Sequence, residues 1–217
     1  MVPPGADRRR ALVLAAGTLV AALGAPARAQ SAFDLAALMR MLAQVRAGEA
    51  TFVEKRSVAM LERTLQSSGR LSFEAPDTFV RETLEPRRER IAVSGNTVTM
   101  SQGSRSRTVP LDSVPEAAVI MEAIRGTLTG NRDAIERNFE AAVSGNAERW
   151  LLELKPREPR LRELVASVRV SGQRALVREV AVAMSDGDRS VMTIEPGPAG
   201  SRAPEPVVPA ARPASAS

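Results

Sequence analysis

The sequence predicts an α+β fold in which helices cover the apolar concave face of a curved antiparallel sheet or part-closed barrel. Much of the chain between residues 50 and 195 alternates apolar and polar residues with a period of two, which is typical of half-buried strands. Short turns that contain glycine separate these stretches, so neighbouring strands are expected to be antiparallel. Other segments repeat their apolar residues every three or four positions, as amphipathic helices do.

The first helix is expected over residues 33–45. Its apolar residues share one helical face: Leu35, Leu38, Met41, Leu42 and Val45. Ser31 is a suitable N-cap because its hydroxyl can accept a hydrogen bond from the first turn, and Gly48 is expected to end the helix.

Two groups of strands follow, and both have the pattern of an antiparallel meander. Residues 50–61 have an extended character, and the rest of the first group is predicted at 69–73, 78–84, 91–93, 98–100 and 105–111. The second group is predicted at 150–155, 168–170, 180–184 and 191–195. The sequence Asp186-Gly187-Asp188 precedes the last strand and has the composition of a hairpin turn.

A helical pair is predicted between the two groups of strands. Ser113 to Glu116 has the pattern of a capping box, with Pro115 in the first turn, where its missing N–H costs nothing. The apolar stripe of the first helix is formed by Ala117, Ile120, Met121, Ile124 and Leu128. A second, short helix is expected over residues 131–138.

Residues 1–29 have the three parts of a secretory signal peptide. Arg8 to Arg10 are positive, and the apolar run from Ala11 to Leu23 is shorter than the roughly 20 residues that a membrane span needs. Ala27-Arg28-Ala29 is a cleavage signature. We therefore expect secretion to the periplasm of a Gram-negative cell and, since no cysteine follows the cleavage site, no lipid anchor on the mature chain.

The mature domain is expected over residues 30–196. Residues 197–217 are rich in proline, alanine and serine and have no apolar period, so they are expected to form a disordered tail.

The chain contains no cysteine and no histidine. It can form no cysteine nucleophile, no Ser-His-Asp triad and no imidazole metal site. No pair of carboxylates marks a hydrolase site, so we expect a protein that is not an enzyme and that uses no cofactor. Asp186 and Asp188 are interpreted as turn residues, because the further ligands of a calcium loop are missing.

The formal net charge of +5 does not indicate a nucleic-acid-binding protein. Residues 1–29 contain four arginines and Asp7, and their removal lowers the charge to +2. Positive and negative residues are interspersed and aromatic residues are rare, whereas a nucleic-acid interface clusters basic and stacking side chains. We expect no nucleic-acid partner and a monomeric protein.

Several short motifs occur in a recognisable order along the predicted domain: Phe52-Val53-Glu54, Gly69 to Phe73, Ala75 to Phe79, Ile91 to Asn96, Trp150 to Pro156, Val168 to Gly172 and Ser185 to Arg189. Their order and spacing resemble the LolA family of periplasmic outer-membrane lipoprotein carriers, over nearly the whole mature domain. Two positions depart from the family pattern. Ala75 stands where the family has an arginine implicated in lid closure, and Arg81 stands where it commonly has tryptophan.

The resemblance implies an incomplete, half-open antiparallel β-barrel with a helical lid on its concave face, enclosing an apolar cavity that shields acyl chains. The implied partners are an acylated lipoprotein or lipid as cargo, an inner-membrane exporter and an outer-membrane acceptor. The candidate cavity residues are Phe52, Leu71, Phe73, Phe79, Ile91, Val93, Val98, Met100, Ile120, Met121, Ile124, Trp150 and Leu152. The alternative for each is a place in an ordinary filled core.

The helix around Ile120 to Leu128 is the predicted lid, with Gly126 and Gly130 as candidate hinge positions. Other functions stay open at this point. The cargo could be a glycolipid or an acylated pigment, or the domain could sense lipids as a regulator of envelope stress that binds an anti-sigma partner.

Overall fold

A computed structural model describes residues 33–61 and 63–197 of the chain. Its strands are β1 (Ala47–Val58), β2 (Arg63–Glu74), β3 (Thr78–Glu85), β4 (Glu89–Ser94), β5 (Thr97–Gln102), β6 (Arg105–Pro110), β7 (Phe139–Asn146), β8 (Arg149–Pro156), β9 (Val165–Gln173), β10 (Leu176–Met184) and β11 (Arg189–Pro196). Its α-helices are α1 (Leu35–Leu42), α2 (Pro115–Leu128), α3 (Arg132–Asn138) and α4 (Pro159–Arg162). Short 3-10 helices cover Ala59–Leu61 and Leu111–Ser113.

The strands form one antiparallel sheet in the order β6-β5-β4-β3-β2-β1-β11-β10-β9-β8-β7. Strand β1 pairs with β2 on one side and with β11 on the other, so the first and last strands lie together at the centre. Strands β6 and β7 are the free edges, and the sheet does not close on itself. The predicted α+β class with an open antiparallel sheet is confirmed.

The larger hydrophobic core lies on the half of the sheet formed by β7, β8 and β9. Trp150, Leu152 and Leu154 alternate along β8, and each is at most 1% exposed. They pack with residues of α1, α2 and α3, among them Leu38 and Ile135. The period of two that predicted β8 therefore places its apolar side chains under the helices.

The helix α1 is shorter than predicted at both ends. Asp34 is its N-cap, because Asp34 Oδ1 accepts a hydrogen bond from the Ala37 N–H at 2.8 Å. The proposed cap, Ser31, lies outside the described residues. Gly48 does not end the helix but lies within β1, where it pairs with Phe73 of β2.

The capping box predicted at Ser113 is wrong. Residues Leu111–Ser113 form a 3-10 turn, and the Ser113 hydroxyl donates to the Pro110 carbonyl oxygen at 2.6 Å instead of capping α2. Val114 occupies the N-cap position without a side-chain hydrogen bond. Pro115 is in the first turn as predicted, and Asn131 caps α3 by accepting from the Ala134 N–H at 3.0 Å.

Strand β7 and helix α4 were not predicted. The first half of β7 alternates Phe139, Ala141 and Val143 with polar or small residues, but its second half, Ser144–Asn146, has no apolar residue to extend the period. Helix α4 has only four residues, too few for a helical repeat. Within the residues that the structure describes, no helix is long and apolar enough to span a membrane.

Gly172 provides a test of the packing beneath β8 and β9. It pairs with Trp150, and a Cβ atom at Gly172 would overlap the Trp150 ring and the Leu176 carbonyl oxygen. The ring cannot easily move away, because Trp150 Nε1 donates to the Arg174 carbonyl oxygen at 2.8 Å. We expect Gly172→Ala to lower the free energy of unfolding by about 1–3 kcal/mol, the usual cost of overpacking.

Urea denaturation of the two variants Gly172→Ala and Gly48→Ala measures this effect. Gly48 is the matched control, since it also lies in a strand but a Cβ there meets no atom within 4 Å. Equal losses of stability in both variants would contradict the packing interpretation.

Candidate ligand-binding cavity

A cavity of about 680 Å³ lies on the concave side of the sheet, bounded by α2 and by the central strands β1–β4, β10 and β11. Its volume falls in the range of about 300–1,000 Å³ that is usual for small-molecule sites. Val114 and Leu176 line it and are 40% and 44% exposed, which marks where the cavity opens to solvent. The sheet and one helix thus enclose a half-open space.

Strand register explains why the floor of the cavity is apolar. Phe73 of β2 pairs with Phe79 of β3, and Phe79 pairs with Val93 of β4, so these side chains form a row across the concave face. Residues two positions apart along a strand project to the same side of the sheet. Further rows of the same kind therefore lie next to this one along the floor. The alternation read from the sequence therefore produces a continuous apolar surface.

Helix α2 has apolar residues on two faces, and only one faces the cavity. Val119 and Ala123 are buried in the core above β8 and β9. The other face lines the cavity through Ala117, Ile120, Met121, Ile124 and Leu128. The stripe that predicted the helix is the cavity-facing one.

Eight of the thirteen candidate residues line the cavity: Leu71, Phe73, Phe79, Ile91, Val93, Ile120, Met121 and Ile124. They come from three strands and one helix that are up to 53 positions apart in the chain, between Leu71 and Ile124. The structure brings these residues together. That they bind a ligand stays a proposal.

Phe52 is not among the lining residues, although it lies on the same side of β1. Its side chain is covered by Arg81, whose guanidinium carbon lies 4.8 Å from the centre of the Phe52 ring. Phe52 is 2% exposed and packs against Leu71 and Ile194. Phe52 was expected to line the cavity, but it is buried beneath the charged side chain of Arg81.

Four other candidates lie in filled parts of the molecule. Val98 belongs to a small cluster with Val93 and Leu111, against which Met100 packs. Trp150 and Leu152 are in the larger core, where α1 and α3 occupy the space above them. These four residues do not line the cavity, and any role of theirs in ligand binding stays a prediction.

Sequence analysis missed the wall formed by the last two strands. Val177, Val180 and Val182 of β10 and Met192 and Ile194 of β11 line the cavity. A period of two predicted strands at 180–184 and 191–195, which do not include Val177. Nothing in the sequence indicates that β11 pairs with β1 and so faces the same space as β2 and β3. Alternation is the only signal for this wall in the sequence, and it identifies these residues as cavity residues only when the pairing of β11 with β1 is also known.

One part of the cavity wall is polar. Arg81 Nη2 donates to Glu54 Oε2 at 2.5 Å and to the Ser67 hydroxyl at 3.2 Å. Arg56 Nη2 donates to Asp188 Oδ2 at 3.1 Å. Glu54, Arg56, Arg81 and Asp188 all line the cavity, so two ion pairs interrupt a wall that is otherwise mainly apolar.

A family model described as outer membrane lipoprotein carrier protein LolA-like matches residues 27–209. The chain belongs to the LolA-like family. Because the match covers most of the chain, membership supports a general role as a carrier of lipid or lipoprotein and agrees with a place in the bacterial envelope. The signal peptide predicted at residues 1–29 lies outside the described residues.

Three solved structures illustrate what the LolA-like chain is similar to. A LolA superfamily protein from Nitrosomonas europaea shares 8% identity, with 75% of this chain and 91% of that chain covered and a TM-score of 0.39. A DUF1329 family protein from Desulfovibrio piger shares 10% identity, with 74% and 88% covered and a TM-score of 0.44.

A putative outer membrane lipoprotein-sorting protein domain from Vibrio parahaemolyticus also shares 10% identity, with 74% and 88% covered and a TM-score of 0.39. No curated protein matches the chain in sequence.

The two glycines near the end of α2 have packing roles in this LolA-like structure. A Cβ at Gly126 would lie 2.7 Å from Ile135 Cδ1 of α3, and a Cβ at Gly130 would overlap the Met39 carbonyl oxygen of α1. Gly130 also has a φ of +63°, which favours glycine. They allow α2 to lie close to α1 and α3, and their role as hinges stays a prediction.

The Asp186-Gly187-Asp188 segment of the LolA-like domain forms the predicted turn between β10 and β11, with φ of +97° at Gly187. Among the residues that the structure describes, no group of three or more acidic, histidine or cysteine side chains could hold a metal ion. Asp188 instead joins two parts of the cavity wall. Asp188 Oδ1 accepts from the Ala59 N–H at 3.0 Å, in the 3-10 turn after β1.

The pKa of Asp188 is lowered below the ordinary range of an aspartate, first by the hydrogen bond from the backbone N–H of Ala59 and then by Arg56. A carboxyl whose pKa is lower in the folded state stabilises the fold above its unfolded pKa of about 3.9, and this stabilisation is lost as the pH falls through the folded pKa. We expect Asp188→Asn to lower the free energy of unfolding at pH 7, with a difference from wild type that shrinks below about pH 4.

Urea denaturation at a series of pH values measures this difference. Asp186→Asn is the matched control, because it removes a charge from the same turn but leaves the contacts to Ala59 and Arg56 in place. A difference between wild type and Asp188→Asn that stays constant from pH 7 to pH 3 would show that the charge of Asp188 has no such role.

Proposed function

We propose that this protein is a periplasmic carrier that shields the acyl chains of a lipid or lipoprotein during transit to the outer membrane. The observation that carries the proposal is the half-open apolar cavity between the concave sheet and α2. Membership of the LolA-like family supports it. An inner-membrane exporter that loads the carrier and an outer-membrane acceptor that unloads it complete the proposal.

The energetics of chain burial limit how such a carrier can work. Burying one methylene group contributes about 0.8 kcal/mol, so a chain of about fourteen carbons gains about 11 kcal/mol before any costs. That value corresponds to a Kd of about 10 nM, and two fully buried chains would exceed what non-covalent binding achieves. The cavity must therefore bury its cargo incompletely or have a part that opens for release.

Helix α2 is the proposed moving part. It forms one wall of the cavity, and Arg125 Nη2 at its C-terminal half donates to the Gly95 carbonyl oxygen in the β4–β5 turn at 2.8 Å. This hydrogen bond connects the proposed lid to the rim of the sheet. A single hydrogen bond contributes only about 1 kcal/mol, so this contact by itself would not prevent the lid from opening.

Native mass spectrometry tests the proposed carrier function directly. The mature protein, purified from a Gram-negative periplasm, is expected to carry an acylated molecule, which extraction and mass analysis would identify. An empty protein that also rejects an added fatty acid and its methyl ester would overturn the proposal and favour a regulatory or structural role.

Filling the cavity gives the corresponding mutational test. Ala117 lines the cavity from α2, so Ala117→Trp should displace part of a bound chain. Losing the burial of two methylenes costs about 1.6 kcal/mol, and we expect the Kd for the fluorescent fatty acid cis-parinaric acid to rise by roughly tenfold or more. Ala142→Trp is the control, since Ala142 is exposed on β7 and does not line the cavity.

Removing the contact between α2 and the β4–β5 turn tests the lid. We expect Arg125→Met to increase the dissociation rate of cis-parinaric acid about fivefold in stopped-flow displacement, since one hydrogen bond contributes about 1 kcal/mol. Arg132→Met is the control, because Arg132 is exposed on α3 and pairs with Glu136 within that helix. Equal dissociation rates for wild type and Arg125→Met would contradict a role of this contact in closure.

A further inference from the structure

Arg81 places a charged group in the middle of the apolar floor of the cavity. On β3 it lies between Leu71 of β2 and Ile91 of β4, its paired residues in the neighbouring strands. All three line the cavity, and the Arg81 side chain is only 24% exposed. Removing a charge from water is unfavourable unless it is paired and hydrogen-bonded, so its partners decide what this position can do.

The hydrogen bonds of Arg81 use one of its three nitrogens. Nη2 donates to Glu54 Oε2 and to the Ser67 hydroxyl, and among the described residues these are the acceptors of Arg81. Nε is buried and has no acceptor in the part of the chain that the structure describes. Nε is too buried for a ligand in the cavity to reach, but a guanidinium has five N–H groups, so the two of Nη1 remain for a further oxygen atom.

Two contacts hold the guanidinium in place. Its carbon lies 4.8 Å from the centre of the Phe52 ring, a distance typical of a cation–π contact. The second is the ion pair with Glu54, whose side chain is 15% exposed. The group is therefore oriented before any ligand binds, which reduces the entropy that binding must overcome.

The charge balance indicates the kind of oxygen that fits. Glu54 already compensates the charge of Arg81, and the carboxylate lies 2.5 Å from Nη2. A second carboxylate at the guanidinium would be repelled by Glu54, whereas a neutral carbonyl oxygen accepts a hydrogen bond without that penalty. The site thus provides hydrogen-bond donors for an acceptor without net charge.

We propose that Arg81 is the head-group subsite of the cavity and donates to the carbonyl oxygen of an acyl ester. The acyl chain then extends over the apolar floor toward α2. This inference rests on the proposed carrier function and adds to it the chemical class of the cargo, a neutral ester of a long-chain acid.

Three ligands of similar length separate the contributions of the chain and of the head group: methyl laurate, laurate and tridecane. Their affinities are measured by displacement of cis-parinaric acid. For the wild-type protein we expect methyl laurate to bind about tenfold more tightly than tridecane, because a hydrogen bond from a charged donor is among the stronger ones. We also expect it to bind more tightly than laurate.

Glu54→Gln leaves the charge of Arg81 uncompensated and keeps a side chain of the same shape. We expect this variant to reverse the preference, so that laurate binds more tightly than methyl laurate. The double variant Glu54→Gln with Arg81→Met removes both charges without leaving either unpaired. It is expected to lose the preference for methyl laurate over tridecane, with the affinity for tridecane unchanged.

A cross-strand pair outside the cavity provides the matched control. Arg169 and Glu153 lie 3.4 Å apart on β9 and β8, and the double variant Glu153→Gln with Arg169→Met should keep the wild-type order of affinities. If the Glu54/Arg81 double variant still prefers the ester, or if the wild-type protein prefers laurate, the proposed subsite is wrong although the carrier function stands. If the wild-type protein binds none of the three ligands, the carrier function itself fails.

Discussion

The pairing of β1 with β11 is the constraint on which the rest of this structure depends. Strands β2–β6 and β7–β11 are two meanders of sequential neighbours, and only β1 joins them by pairing with β2 on one side and with β11 on the other. The cavity spans the junction, because its walls come from β2–β4 on one side and from β10 and β11 on the other.

The concave face is divided into a filled half and a hollow half, and the helices decide which is which. The filled half is formed by β7, β8 and β9. Helices α1 and α3 contact β7 and each other, and together with Trp150 and Phe139 they fill the space above this half. Gly126 and Gly130 allow α2 to lie against α3 and α1. Helix α2 is therefore packed on one face and borders the hollow half with the other. The core on one side of α2 thus supports a wall that faces an open space on the other.

Except for β7, the sequence was sufficient to locate the strands and the direction of their side chains, because a period of two follows from backbone geometry alone. It was not sufficient to separate cavity from core. Leu71 and Trp150 have the same alternation, yet Leu71 borders the cavity while Trp150 lies beneath helices. That difference depends on which helix covers which half of the sheet, a contact between elements far apart in the chain. For the same reason the wall formed by Val180 and Met192 could not be predicted.

Local sequence rules failed where a neighbouring turn or a longer-range contact took precedence. Ser113 has the composition of an N-cap, but the 3-10 turn that precedes α2 uses its hydroxyl for the Pro110 carbonyl oxygen. Phe52 has the position of a cavity residue, but Arg81 lies over its ring. In both cases the competing interaction involves a residue that the motif itself does not include. Periodicity identifies the face of an element, and tertiary contacts decide what that face meets.

The ion pair between Arg81 and Glu54 is difficult to explain by stability alone. Replacing such a pair with apolar residues of similar volume is often neutral or stabilising, because the desolvation of two charges offsets much of their attraction. Here the pair also leaves the buried Nε of Arg81 without an acceptor among the described residues, which adds a further cost. The surrounding Leu71 and Ile91 show that apolar side chains fit on both sides of this position. The pair therefore weakens the apolar wall and leaves donors of Arg81 without acceptors among the described residues, and this cost is the physical basis of the head-group subsite proposed above.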